Sequence, residues 1–302
     1  MTNLLKEKII APAWDIIKND TSIKKFYLLP WLLSIIFLSV LLVYQSIYTY
    51  VEIFWKTDEA LVIILNFFHS DYVIEVLITT IVFLIIYFLV TPIFEWWLIK
   101  YIHAKNNKIE MSPGDAFWEW IYKFLPIFEY NNLFSEFKLI SILNWYLFTI
   151  RFIWVEYIWV LTNIFIFVLL LWILINILFA YTKYAIIIND KPVFKAIWYS
   201  SKITILNLNR TIRLYFLMLF LNLRVIFNFI IFLSFPIVIV IAIWLITTKL
   251  FLIVAVTILL MLFVFFIWAL WYLTAVLEIF TTSIWYYAYI EWKEKLEDKK
   301  TD

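Results

Sequence analysis

The chain has no cysteine, one glycine (Gly114) and two histidines, His69 and His103. Without Cys there is no disulfide framework, thiol nucleophile, Cys-bound zinc or iron–sulfur cluster, and two histidines are too few for a histidine-rich metal site. Net charge is nearly absent: 24 Lys and Arg against 22 Asp and Glu leave +2, too weak a field to gather nucleic acid. Enzyme signatures are missing as well, with no Walker loop, His-Glu-x-x-His, nucleophile elbow or paired-carboxylate motif. The loop from Gly114 to Trp120 lacks the buried strand and the Lys-Ser/Thr pair of a phosphate cradle. No catalytic, cofactor-binding or metal-binding residue is assigned. What fills the 302 residues is apolar: 66% hydrophobic and 22% aromatic, more than a water-soluble core of this size needs. The composition predicts an all-α integral membrane helical bundle.

A lone glycine is an anomaly, since about 7% is usual and membrane helices carry more. Tryptophan is in excess, at 17 residues. Together the two come to about 6% of the chain, an ordinary glycine share. A gene whose UGA codons mean glycine, read with a table that assigns UGA to tryptophan, produces the deficit and the excess together; some bacterial lineages use such a code. Position agrees with this reading. Trp172 falls mid-span, away from the headgroup level that membrane Trp prefers, and Trp268 and Trp271 stand three apart, as small packing residues often do. The competing account is a Trp-rich protein from an AT-rich genome, a bias that also explains the abundance of Ile, Asn, Lys, Phe and Tyr. The nucleotide sequence separates the two.

Six spans in three hairpins are expected. Residues 1–25, with Lys6, Lys8, Lys18, Lys24 and Lys25, form a cytoplasmic segment. The first hairpin covers 26–99, as the runs Phe26 to Tyr50 and Tyr72 to Ile99 are each long enough to cross a core of about 30 Å. The first run is too long for a signal peptide and lacks a cleavage site. The acidic loop between them, with Glu52, Asp58, Glu59 and Asp71, belongs outside. Residues 100–138 are basic and cytoplasmic, with a turn at 112–115 that opens a short helix through Leu125. The 42-residue run 139–180 is about 63 Å of helix, two crossings, with its turn near Trp154-Val155-Glu156-Tyr157 and Arg151 at the outer interface. Residues 181–213 are again basic and cytoplasmic, the third hairpin covers 214–289, and 290–302 is a cytoplasmic tail. Interfacial helix is expected from Leu214 to about Arg224 and from Leu277 to Tyr289. Both termini then lie on the cytoplasmic side of a bacterial inner membrane.

Within 181–213, Asn189 or Asp190 can cap a helix with Pro192 in its first turn. Phe194, Ile197, Ser201, Ile205 and Leu208 then share one face, describing a helix on the inner membrane surface whose Lys195 and Lys202 contact lipid headgroups. The stretch from Tyr181 to Ser201, with Ala196 and Ser200 as an Ala-x-x-x-Ser pair, resembles a broad set of bacterial polytopic membrane proteins related to the membrane domain of some glycerophosphodiester phosphodiesterases. There a span ends in a segment running from Tyr to Asp, such a helix follows, and a final hairpin closes the domain. The resemblance covers roughly residues 175 to 290 and implies an accessory membrane domain. The phosphodiesterase domain itself has no counterpart in this chain.

Charges inside spans are the place to look for function. Arg224 and Glu278, about 36 and 45 Å back from the outer turn at Thr248 on antiparallel helices, are expected to meet as an ion pair near the inner interface. Glu95 lies near the inner end of the second span. Asn66, Asn144, Asn163, Asn176, Asn222 and Asn228 are expected to make interhelical hydrogen bonds, and His103 to be solvated. Three function classes remain. The first is an accessory or scaffold protein acting through contacts with membrane lipids and other membrane proteins. The alternatives are a transporter or channel for a small solute and a membrane enzyme acting on lipids. A filled core favours the first, a polar cavity reaching the midplane the second, and a carboxylate or His cluster opening toward headgroups the third.

Overall fold

The structure, a computed structural model, describes residues 5–25, 27–33, 36, 62, 65–111, 113–134, 139–152, 157–221, 223 and 249–298. The described residues are helical, with no strand among them. A π-helical turn Lys6–Ile10 runs into α1 (Ala11–Asn19). Then follow α2 (Val73–Asn106), α3 (Pro113–Leu133), α4 (Leu139–Phe152), α5 (Ile158–Leu178), α6 (Thr182–Asn189), α7 (Val193–Leu206) and α8 (Lys249–Asp298). Residues 208–221 are also helical. Two stretches among the described residues, Val73–Asn106 and Ile158–Asn189, are long and apolar enough to cross a membrane. The six-span count rests in part on 26, 34–35, 37–61 and 224–248, outside the described residues.

The long helices have two halves of different environment. Ile74, Ile78, Ile81 and Ile85 of α2, Phe167, Leu170 and Leu174 of α5, and Ile253, Val264 and Phe265 of α8 are apolar and exposed. At the other end of α2 and α8 the side chains are closed off: Trp96 to Ile99 and Ile102, then Ile279, Ile284, Tyr286, Tyr289 and Trp292, are almost inaccessible. The 50 residues of α8 measure about 75 Å, well beyond the roughly 45 Å of bilayer with its headgroups. The stretch Leu277 to Tyr289, expected as interfacial helix, brings Ile279, Ile284, Tyr286 and Tyr289 into the buried core with side chains of α2, α6, α7 and α1.

Polar contacts gather the basic segments at this same end. Lys8 pairs with Glu291 at 3.1 Å, Lys105 with Asp20 at 2.5 Å, and the Tyr289 hydroxyl donates to Asn189 Oδ1. Asp20 has two jobs. Its Oδ1 accepts the Ser22 and Ile23 backbone N–H groups and caps the helical segment that begins at 21, while Oδ2 accepts from Lys105 and from the Tyr101 hydroxyl at 2.9 Å. Burial pushes the Asp20 carboxyl up, but the bonds from Lys105, Tyr101 and Ile23 outweigh it and hold it below its ordinary 3.8. His103 is half-buried, its Nδ1 3.0 Å from the Tyr286 hydroxyl, so it is only partly open to solvent.

Tyr146 of α4 stacks on Phe165 of α5 with centroids 4.2 Å apart, and its hydroxyl lies 3.0 Å from Thr162 Oγ1, so the two helices pack side by side; residues 153–156, where the turn near 154–157 was expected, lie outside the described residues. The 14 residues of α4 span about 21 Å, less than the hydrocarbon thickness. The α3 helix runs on past Leu125 and through Pro126. Asp190 does not cap the following helix; it takes the left-handed conformation (φ 48°) that ends α6, a role Asp tolerates better than most residues. Pro192, in extended conformation, precedes α7.

On α7 and just beyond it the residues expected to share one face, Phe194, Ile197, Ser201, Ile205 and Leu208, are exposed or part-buried, and the opposite side meets protein. Val193, Ala196, Ser200, Ile203 and Thr204 are buried, while Phe194, Trp198, Ile205 and Leu208 are exposed. The Ala-x-x-x-Ser pair therefore faces the bundle. Ser200 Oγ donates to the Leu178 carbonyl at 2.8 Å and accepts the Tyr181 N–H at 3.0 Å, satisfying backbone groups freed where α5 ends. The small residues allow this approach.

Candidate ligand-binding cavity

A cavity of about 590 Å³ opens where α2, α3, α5, α6, residues 208–221 and α8 converge. Its polar side is built from three helices. Glu95 on α2 forms an ion pair with Lys183 on α6. Asn131 on α3 donates to the second Glu95 oxygen at 3.3 Å, and the Lys183 ammonium sits 5.9 Å from the Tyr130 ring centroid. Both members of the pair are partly accessible, with side chains 30% and 22% exposed for Lys183 and Glu95.

The opposite wall comes from α8, which contributes Glu278, Thr281, Thr282 and Trp285. Among the described residues no hydrogen bond or ion pair reaches the Glu278 carboxylate. Tyr184 is held by donation to the Thr282 carbonyl at 3.0 Å, and Tyr215 by donation to the Asn176 carbonyl. Phe134 and Phe179 meet edge to face at 5.2 Å and complete an aromatic lining with Tyr130 and Trp172. The cavity thus holds two carboxylates, one ammonium and a largely aromatic wall. Among the described residues there is no group of three or more metal-ligating side chains.

The expected site residues are distributed unevenly. Glu278 lines the cavity. Arg224 lies outside the described residues, so the expected Arg224–Glu278 pair does too. Lys195 and Lys202 stand exposed on α7, with the Lys202 ammonium 5.3 Å from the Trp198 ring centroid. Asn163 and Asn176 were expected to bond between helices, but each amide donates to the carbonyl four residues back in its own helix, to Trp159 and Trp172. Lys183 was read only as one of the cations marking a cytoplasmic segment. The signal that points to it is Glu95: a carboxylate near the end of an apolar span needs a counter-charge, and Lys183 is the first cation after the next span. Comparison with protein families, curated proteins and solved structures finds no match.

Proposed function

We propose that this chain is a multi-pass membrane protein that takes a small solute into the cavity between α2, α6 and α8, and so belongs with carriers or channels. The cavity is the observation that carries the reading. Its volume of about 590 Å³ falls in the range of about 300–1,000 Å³ typical of small-molecule sites, and a purely scaffolding bundle has no need for an unfilled space lined by charge. Membrane insertion is supported by the exposed apolar halves of α2, α5 and α8, far more apolar surface than water tolerates. A common cytoplasmic side is supported by the contacts that tie Lys8, Lys105 and Asn189 into one end of the bundle. On this topology Glu95, Lys183 and Glu278 sit toward the inner leaflet, and α7 lies at the interface with Lys195 and Lys202 available to anionic headgroups. Residues 175 to 290 keep their resemblance to the phosphodiesterase-associated membrane domain as a proposal; Ala196 and Ser200 have a packing role that accounts for them without chemistry.

The recoding reading enters here as well. Trp172 and Trp292 each bury an indole N–H with no partner among the described residues, at a cost of about 1–3 kcal/mol apiece that glycine would not incur. Trp271 argues the other way, donating to the Leu28 carbonyl at 3.0 Å.

The test is a thermal-shift screen of the purified protein against small cationic, neutral and anionic solutes, followed by flux in proteoliposomes. A bound solute at 100 times its Kd stabilises by about 2.7 kcal/mol, readily visible. The Leu219→Trp variant, which fills the cavity, is expected to abolish the shift. No shift with any probe, and no flux, would return the protein to the scaffold class.

A further inference from the structure

The charge balance of the cavity narrows its occupant, and the argument rests on the solute-binding reading above. Lys183 is committed to Glu95, and Asn131 fixes that carboxylate from the other side. Glu278 lines the same space with no hydrogen-bond or ion-pair partner among the described residues, so these lining residues bring two carboxylates and one ammonium. An unpaired carboxylate at membrane depth is costly, and a cationic occupant removes that cost. A bare divalent cation is a poor fit, since it asks for six or more converging oxygens, and among the described residues no group of three or more metal-ligating side chains gathers. Aromatic faces do suit one kind of cation: a substituted ammonium, weakly hydrated and bulky, attracted by the ring quadrupole. Tyr130, Phe134, Phe179, Tyr184 and Tyr215 supply five such rings, and a space of about 590 Å³ suits an organic ion better than a bare one.

We propose that the cavity binds a monovalent organic cation of the substituted-ammonium class, with Glu278 as its counter-charge and the Tyr and Phe side chains as its cage. The ammonium can arrive free in solution or as the headgroup of a membrane lipid, and both sources present the same chemistry.

Direct titration of the full-length protein with choline, benzyltrimethylammonium, the neutral carbon isostere of choline and benzoate is the experiment. The cations are expected to bind at least about tenfold more tightly than the neutral isostere, the difference expected for desolvated cation–ring and charge contacts. Glu278→Gln is expected to reduce that preference several-fold, to what the rings alone supply, while leaving binding of the neutral isostere unchanged. Equal affinity for cation and isostere, or tighter binding of benzoate, overturns the proposal and leaves solute binding standing; absence of binding by every probe overturns both. Arg224→Gln supplies a second control. Unchanged choline affinity is expected, whereas a rise of tenfold would show that Arg224 already neutralises Glu278 and would overturn the assignment. Repeating the titration in nanodiscs identifies the source. A loss of choline affinity when phosphatidylcholine replaces phosphatidylglycerol supports the lipid headgroup as occupant, and unchanged affinity supports a soluble cation.

Discussion

Asp20 offers the sharpest test of how the buried end of the bundle is held. The side chain is 7% exposed, pairs with Lys105 at 2.5 Å, accepts from Tyr101 and caps the helical segment at 21 through Oδ1. Asp20→Asn removes the charge and keeps a capable cap. A fully buried pair costs about 3–5 kcal/mol to break and an exposed one about 0.2–1. With Lys105 39% exposed, the expected loss lies between, at about 1–3 kcal/mol. Asp20→Ala also loses the cap and is expected to cost about 1 kcal/mol more. Combining Asp20→Asn with Lys105→Met should cost less than the two single changes together. Acid provides an independent check. The Asp20 carboxyl is held below 3.8 in the folded protein, so its stabilising contribution is present above the unfolded-state value of about 3.9 and is lost as pH falls through the lower folded value. Thermal unfolding in detergent at several pH values reads both effects. The gap between wild type and Asp20→Asn should be constant from about pH 5 to 7 and narrow below about pH 4. A gap near zero at neutral pH, or one that persists unchanged in acid, refutes the reasoning.

Three further outcomes are expected. Single cysteines introduced into this Cys-free chain should label from outside at Asp58→Cys and Glu156→Cys but not at Trp120→Cys, Lys195→Cys or Lys300→Cys; an inaccessible 156 with an externally labelled 195 replaces six spans by five. Changing Lys195 and Lys202 together to Glu should weaken binding of the full-length protein in detergent micelles to added anionic lipid by about 1 kcal/mol per residue in low salt, and indifference to both charge and salt removes the electrostatic part of the α7 reading. The gene should carry UGA at most of the 17 Trp positions if the recoding holds, and UGG at most of them rules it out.

The apolar runs were readable because hydrophobic length alone identifies a helix that can meet lipid, and α2 and α5 follow from it. That the stretch 139–180 holds two helices packed together was suggested by length too, since 42 apolar residues exceed one crossing. The outer face of α7 was readable as well, while the side that meets protein was not. In water the apolar face of a helix turns inward, but beside lipid both faces are apolar, so Phe194, Ile205 and Leu208 marked the outside and the small residues Ala196 and Ser200 the contact. Glu95 and Lys183 stand 88 residues apart, and no local spacing links them. Each had a sufficient explanation by itself, one as an interfacial carboxylate and the other as a topogenic cation. Only the packing of α6 against α2 brings them together.

The two readings of tryptophan bear on the cavity in a definite way. Trp172 and Trp285 are its Trp walls. Under the glycine reading both indoles vanish, the space widens, and α8 carries glycine at 268, 271, 285 and 292, each costing about 1 kcal/mol of helix propensity relative to Ala but allowing closer helix contact. Glu95, Lys183, Glu278, Tyr130, Tyr184, Tyr215, Phe134 and Phe179 are encoded by other codons and stay. The charge balance and the aromatic cage are therefore common to both readings, and only the upper size of the occupant depends on the code. A series of tetraalkylammonium ions of increasing bulk should then show a preference for positive charge in either case. A steep cutoff in size is expected if the indoles are present, and a gradual one if they are glycine. Loss of the charge preference itself would count against Glu278 whichever residue stands at 172 and 285.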